Sequence, residues 1–146
     1  MLTSKHILQN ENDSEKLATK LANNIQPGTI ITFSGDLGSG KTFLCRNIIQ
    51  TLCGKETKVI SPTFNLLQIY DYKNCQIYHF DLYRLKHISE IYELGIEEAF
   101  NGNICLIEWP EIINNILPEE TIRINIKLND ANQRHVSIEN HKTKLI

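Results

Sequence analysis

The sequence lacks the features of a membrane, disulfide-bonded or independently nucleic-acid-binding protein. No apolar run approaches the roughly 20 residues that span a bilayer, and residues 1–20 are polar, without the apolar stretch of a secretory signal. No pair of the four cysteines has C-x2-C spacing. With 15 basic and 17 acidic residues, the chain has no basic excess for gripping nucleic acid alone. We therefore expect a cytoplasmic protein with reduced thiols, no membrane or DNA contact, and any role with RNA only through partners.

The 146 residues fit a single domain, 1–146, whose predicted elements alternate between strands and helices. They are a helix from Asn12 or Asp13 to about Asn24, a strand over 29–34, a helix over 41–52, hairpin strands over 64–70 and 76–81, a short helix over 89–94, a turn over 96–100, a strand over 103–108, a short helix opened by Pro110, and strands over 121–128 and 135–139. This order predicts a three-layer α/β fold. The hairpins predict a mixed, mostly parallel central sheet with antiparallel strands added.

The segment Gly35–Thr42, GDLGSGKT, matches the phosphate-loop pattern G-x-x-x-x-G-K-[ST] at every fixed position. A β-branched strand precedes it and a helix follows it, which is the context that the motif requires. Glycines let the backbone approach phosphates, and a helix N-terminus favours anions. The alternative is a glycine-rich turn without a ligand, which leaves Lys41 without a purpose.

The loop therefore predicts a P-loop NTPase fold that binds ATP or ADP with Mg²⁺. Lys41 brings a mobile positive charge to the β- and γ-phosphates, and Thr42 offers a hydroxyl to the metal. The residues predicted to contact the nucleotide here are Gly35, Asp36, Leu37, Gly38, Ser39, Gly40, Lys41, Thr42 and Phe43.

Two carboxylates at strand ends are candidates to complete the site. Glu108 ends the apolar run ICLIE and would hold Mg²⁺ directly or through a water; the alternative is a surface glutamate at a strand end. Asp81 ends another apolar strand in HFDLYR and would orient water or reach the metal's outer shell. For Asp81, an ion pair with Arg84 or a helix cap remains an equal alternative.

Three further residues lie in or beside these motifs. Thr63 belongs to SPT, in the connection where phosphate-loop proteins sense the γ-phosphate, although an ordinary turn fits equally well. Trp109, the only tryptophan, follows Glu108 and would pack near the nucleotide, serve a partner surface or anchor the core. His79 is interpreted as a structural histidine rather than a general base.

The motifs GDLGSGKT, SPTF, HFDLYRL and IEWPE occur in this order behind a long first helix, and together they resemble the TsaE family. The resemblance covers almost the whole chain. It implies a slow Mg²⁺-dependent ATPase that partners activate. Lys41 would bind phosphate, Thr42 and Glu108 would hold Mg²⁺, Thr63 would be a switch-like threonine and Asp81 the catalytic aspartate. Trp109, Glu11 and Arg134 are further nucleotide-contact candidates by the same resemblance.

The partners implied by this resemblance are the TsaD and TsaB proteins. In the family they transfer threonylcarbamoyl to adenosine 37 of tRNAs that read codons beginning with A, and TsaE hydrolyses ATP to reset or sustain that assembly. The modest acidity of the chain agrees with an indirect contact with tRNA.

Two other functions compete with this one. A small-molecule kinase needs an arginine-bearing lid over the phosphates, yet the chain has only Arg46, Arg84, Arg123 and Arg134 and no arginine-rich insertion. A nucleotide-gated binding module with negligible turnover would keep the loop and bind partners in one nucleotide state. A guanine-specific switch is disfavoured because the sequence has no Asn-Lys-x-Asp motif.

Overall fold

The structure, a computed structural model, describes residues 2–141. The predicted single domain over 1–146 therefore extends beyond the described residues at both ends. The strands are β1 (Leu2–Leu8), β2 (Ile30–Gly35), β3 (Leu67–Tyr72), β4 (Cys75–Asp81), β5 (Ile104–Glu108), β6 (Ile122–Leu128) and β7 (Arg134–Asn140). The helices are α1 (Glu11–Asn23), α2 (Lys41–Cys53), α3 (Ser89–Glu93), α4 (Ile96–Ala99) and a 3-10 helix over Pro110–Ile116.

The seven strands form one mixed sheet in the order β1-β7-β6-β2-β5-β4-β3. The four central strands β6, β2, β5 and β4 pair in parallel. The outer strands β1, β7 and β3 join by antiparallel pairing. This arrangement confirms the predicted α/β sheet, with a parallel centre and antiparallel hairpin strands. It brings the carboxyl ends of β2, β4 and β5 to one edge, where ligands bind in open α/β sheets.

Two apolar cores, one on each face of the sheet, give the three layers. On one face, Ile31 and Phe33 of β2 pack in the cluster that contains Leu21 of α1 and Ile48 of α2. On the other face, Phe80 of β4 and Ile107 of β5 pack in a second cluster with side chains of α3, α4 and the 3-10 helix. Because strand side chains alternate between faces, the near-continuous apolar run of β5 serves both cores.

The structure adds one strand that the sequence did not predict, β1. Leu8 is the one buried residue of β1, because this strand lies at the edge of the sheet. Backbone pairing with β7, from Leu2 opposite Asn140 to Leu8 opposite Arg134, holds it in place. Such pairing leaves little hydrophobic periodicity in the sequence.

The first helix begins slightly earlier than predicted. Asn10, rather than Asn12 or Asp13, is its N-cap, and its side chain accepts a hydrogen bond from the Asp13 backbone N–H at 2.9 Å. The Asp13 carboxylate in turn accepts from the Gln9 N–H at 2.9 Å. These reciprocal bonds satisfy backbone donors at the helix start.

Two further expectations concern cysteines and membranes. All four cysteines are free thiols; two are buried and two are half-buried, in line with the reduced state expected. Burial raises the pKa of Cys105 to about 12. Among the described helices, none has the length and apolar character that crossing a bilayer requires.

Candidate functional site

The glycine-rich loop connects the end of β2 to the start of α2. Its glycines adopt positive φ angles, 151° at Gly35, 79° at Gly38 and 109° at Gly40. A Cβ at Gly35 would lie 2.5 Å from the Ile126 carbonyl oxygen, so no larger residue fits there without displacing the backbone of β6. Gly40 is the N-cap of α2, and no side chain caps that helix end. The first amides of α2 are therefore available to an anion, as phosphate binding requires.

Lys41 lies at the centre of the loop and is 4% exposed. Its Nζ donates to the carbonyl oxygens of Gly35 at 2.5 Å and Asp36 at 2.9 Å, and it lies 4.1 Å from the centroid of the Trp109 ring. Burial lowers the pKa of Lys41, and the nearby Glu108 carboxylate opposes that shift. The ammonium therefore rests on neutral acceptors and a π face, contacts that a phosphate oxygen can replace.

Glu108 and Thr42 meet beside the loop. The Thr42 hydroxyl donates to Oε1 of Glu108 at 2.7 Å. The contact arises because β5 pairs in parallel with β2 and places Glu108 opposite Phe33, at the strand ends where the loop begins. A hydroxyl and a carboxylate are hard oxygen donors of the kind that Mg²⁺ prefers. These residues thus fit the predicted metal site, and Glu108, which is 1% exposed, is not a surface glutamate.

Asp81 lies next to Glu108, because the parallel register of β4 and β5 pairs these two residues. Its Oδ2 accepts from the Thr63 hydroxyl at 3.4 Å and its Oδ1 from the Tyr83 N–H at 3.1 Å. Burial raises the pKa of Asp81, and the Tyr83 N–H partly offsets that shift. Arg84, the ion-pair alternative, instead places its guanidinium 4.8 Å from the centroid of the Phe64 ring. The carboxylate is oriented toward the site rather than neutralised by that arginine.

The structure places His79 against Glu108, the predicted metal ligand. The sequence interpretation missed this contact. The His79 side chain is fully buried, and its Nε2 lies 2.7 Å from Oε2 of Glu108. The available signal was strand periodicity, since His79 and Asp81 are two residues apart on β4 and share a face.

Trp109 follows Glu108 with a φ of 57° and begins the turn into the 3-10 helix. Its ring lies against Tyr83, with centroids 4.7 Å apart. Both rings border a cleft of about 250 Å³. The cleft is lined by Leu37, Gly38, Gly40, Lys41, Thr42, Phe43, Thr63, Asp81, Tyr83, Glu108 and Trp109. Apart from Tyr83, each of these was a predicted site residue.

The remaining predicted residues do not line the cleft. Gly35, Asp36 and Ser39 offer backbone carbonyls to other residues: the first two accept from Lys41, and Ser39 accepts from Nε of Arg134 at 2.7 Å. Arg134 thus contacts the loop from β7. Glu11 is exposed in the first turn of α1. For Glu11 and Arg134, contact with the nucleotide stays a prediction.

Comparisons with known proteins all find similarity to one family. The family model "Threonylcarbamoyl adenosine biosynthesis protein TsaE" matches residues 8–136. The chain is 55% identical over 132 residues to the tRNA threonylcarbamoyladenosine biosynthesis protein TsaE of Rickettsia felis, covering 90% of this chain and 77% of that protein. It is 35% identical over 129 residues to the Bacillus subtilis TsaE, covering 88% and 80% of the two chains.

A solved structure shares the fold. The crystal structure of Bacillus subtilis YdiB matches with a TM-score of 0.79 and 28% sequence identity, over 95% of this chain and 86% of that one. The agreement thus covers nearly the whole chain rather than the phosphate loop alone.

Proposed function

The chain belongs to the TsaE family of threonylcarbamoyl adenosine biosynthesis proteins, and on that premise we propose that it binds and hydrolyses magnesium ATP in support of tRNA threonylcarbamoyladenosine formation. The observation that carries the proposal is the contact between the Thr42 hydroxyl and Glu108, 2.7 Å apart beside an uncapped phosphate loop. Loop, lysine, hydroxyl and carboxylate are the parts that phosphate-loop NTPases use.

Binding follows from the loop and Lys41. The free backbone N–H groups at the start of α2 donate hydrogen bonds to phosphate oxygens, and the three positive-φ glycines let the backbone come close to them. The Lys41 ammonium moves from its carbonyl acceptors to the β- and γ-phosphates. Trp109 and Tyr83, which line the cleft, would then lie beside the nucleotide.

Magnesium is the metal that the donor set fits. Thr42 and Glu108 would hold it, and when bound it neutralises charge that develops on the phosphate oxygens. Glu108 keeps one oxygen toward Thr42 while the other is fixed by His79. The carboxylate therefore presents a defined face to the metal.

Asp81 is the residue that we assign to the attacking water. It is 4% exposed, borders the cleft and has a raised pKa from burial, so it can accept a hydrogen bond or a proton from water more readily than a solvated aspartate. Thr63 contacts the same carboxylate and comes from the segment before β3. A shift of that segment when the γ-phosphate is present would reset both residues together.

The partners in this proposal are TsaD and TsaB, with tRNA reached through them. They would transfer threonylcarbamoyl to adenosine 37 of tRNAs that read codons beginning with A, while hydrolysis by this chain resets or sustains the assembly. The net charge of −2 suits a protein that does not grip tRNA by itself. The proposal includes a cytoplasmic location, where tRNA modification takes place.

The kinase alternative has less support from the site. Among residues 2–141, no arginine lines the cleft: Arg134 binds loop backbone and Arg84 lies on Phe64. An acceptor substrate would thus lack the cationic lid that small kinases use to exclude water. The binding-module alternative differs from the proposal only in turnover.

Phosphate release from magnesium ATP tests the proposal. We expect slow turnover by the chain alone and faster turnover when TsaB and TsaD are added, because partners complete the water-positioning geometry. Omitting Mg²⁺ with EDTA is the matched control. Nucleotide binding without phosphate release, with partners present, would favour the binding module.

Trp109 provides a direct signal of nucleotide binding. We expect ADP to change its fluorescence, because the indole borders the cleft and lies 4.1 Å from an ammonium that must move. Trp109 is the only tryptophan, so the titration needs no correction for others. A flat fluorescence titration, with binding proved by calorimetry, would place the nucleotide away from this ring.

A further inference from the structure

The buried contact between His79 and Glu108 has a consequence for magnesium binding. We propose that His79 is a positioning residue that fixes the orientation of the Glu108 carboxylate toward Thr42 and the metal. The inference rests on the proposed function, since it concerns how that site is prepared for Mg²⁺.

The carboxylate of Glu108 is held at both oxygens. Its Oε1 accepts from the Thr42 hydroxyl and its Oε2 contacts Nε2 of His79, each at 2.7 Å. Because a carboxylate only accepts hydrogen bonds, Nε2 carries the proton in this contact. Because both oxygens are engaged, rotation of the carboxylate about its terminal torsion breaks both short hydrogen bonds. The torsion is otherwise broad for a glutamate.

The position of His79 in the sheet makes this contact possible. His79 lies opposite Leu106 in the β4–β5 register, two positions before the pair Asp81 and Glu108. Such a diagonal neighbour on one face is within reach of long side chains. The imidazole therefore contacts Glu108 on the side away from the cleft, and His79 does not line the cleft itself.

The surroundings argue against a purely space-filling role. Two neighbours of His79 on this face, Ile77 of β4 and Leu106 of β5, are apolar and fully buried, and the half-buried Gln68 lies opposite it on β3. On the helix side, the Cys45 thiol of α2 lies within 4.8 Å of a His79 ring nitrogen. Among residues 2–141, Nδ1 of His79 has no hydrogen-bond partner. An apolar side chain would fill the same space without burying an unsatisfied nitrogen, so what the imidazole supplies is the Nε2 donor.

The test is a magnesium titration of ADP binding, followed by Trp109 fluorescence and calorimetry, on a matched pair of variants. His79→Gln keeps a donor near the Nε2 position, whereas His79→Met has nearly the same shape without one. We expect His79→Met to raise the Mg²⁺ concentration at half-saturation by about 10-fold or more, as removal of a residue that orients a metal ligand does. We expect His79→Gln to stay within about 3-fold of the wild type, because the donor to Oε2 is retained.

The controls separate positioning from stability and from the proposed function. Each variant is first melted, ADP affinity is measured in EDTA, where it should be unchanged, and His6→Gln on β1 serves as the matched histidine control. If His79→Met does not fold, His79→Asn replaces it, since its shorter amide reaches the Nδ1 position only. Equal titrations for the wild type, His79→Met and His79→Gln, or equal shifts in both variants, would overturn the inference alone. Wild-type ADP binding that ignores Mg²⁺ would overturn the proposed function and the inference with it.

Discussion

Replacing Lys41 with alanine is expected to lower the rate of ATP hydrolysis by about 100- to 1,000-fold, the usual effect of removing one preorganised charge from a transition state. Lys41 is the cation at the loop's centre, and its ammonium is held by the Gly35 and Asp36 carbonyls within reach of the phosphates. These acceptors are neutral, so exchange for a triphosphate replaces weak contacts with charge-assisted ones. Nucleotide affinity should fall as well, but by less than the rate.

The measurement is steady-state phosphate release together with calorimetric ADP binding. Lys16→Ala, at an exposed position on α1, is the matched control because it removes the same side chain from a position that does not line the cleft. Its rate should equal that of the wild type. Circular dichroism establishes that Lys41→Ala folds, since the substitution also removes the contact with the Trp109 ring. Unchanged turnover in folded Lys41→Ala would refute the assignment of this loop as the catalytic site.

Sequence reasoning reached the loop because its signal is local. The fixed glycines, Lys41 and Thr42 lie within eight consecutive residues, and backbone geometry alone requires that spacing. Positive φ angles at Gly35, Gly38 and Gly40 are the physical cause of the pattern. A constraint that acts within a few residues leaves its full record in a single sequence.

The carboxylates were predicted as candidates, but their partners could not be chosen. Asp81 had an ion pair with Arg84 as an equal alternative, and only the three-dimensional path of the chain places Thr63 and Tyr83 against it instead. The contact between His79 and Glu108 joins residues 29 positions apart through strand register. Register depends on how two strands pair, which neither strand's own sequence specifies.

The edge of the sheet was the largest omission in the fold. β1 has few buried side chains and is held by backbone hydrogen bonds to β7. Its pairing has a consequence for the loop, because Leu8 lies opposite Arg134, which donates to the Ser39 carbonyl. The terminal strand thus supports a residue that contacts the site, although nothing in its hydrophobic pattern indicates that role.

The second large prediction concerns Glu108, whose replacement should remove the magnesium dependence of hydrolysis rather than nucleotide binding. Glu108→Ala should abolish Mg²⁺-stimulated hydrolysis, but it also leaves the Thr42 hydroxyl and the buried His79 without their partner. Glu108→Gln is the sharper variant, since an amide of the same shape can keep hydrogen bonds to both residues while removing the charge. We expect Glu108→Gln to reduce phosphate release by about 100-fold or more, because charge stabilisation near the phosphates is lost.

Comparison with Glu111 separates a metal ligand from general electrostatics. Glu111 also raises the pKa of Lys41 through its charge, yet it is exposed and does not line the cleft. If the charge near Lys41 alone mattered, Glu111→Gln and Glu108→Gln would shift the Mg²⁺ titration alike. Because Glu108 is in contact with Thr42, we expect only Glu108→Gln to raise the half-saturating Mg²⁺ concentration, by about 10-fold or more, with ADP affinity in EDTA nearly unchanged. Superimposable titrations for all three proteins would remove Glu108 from the metal site and leave Thr42 as its anchor.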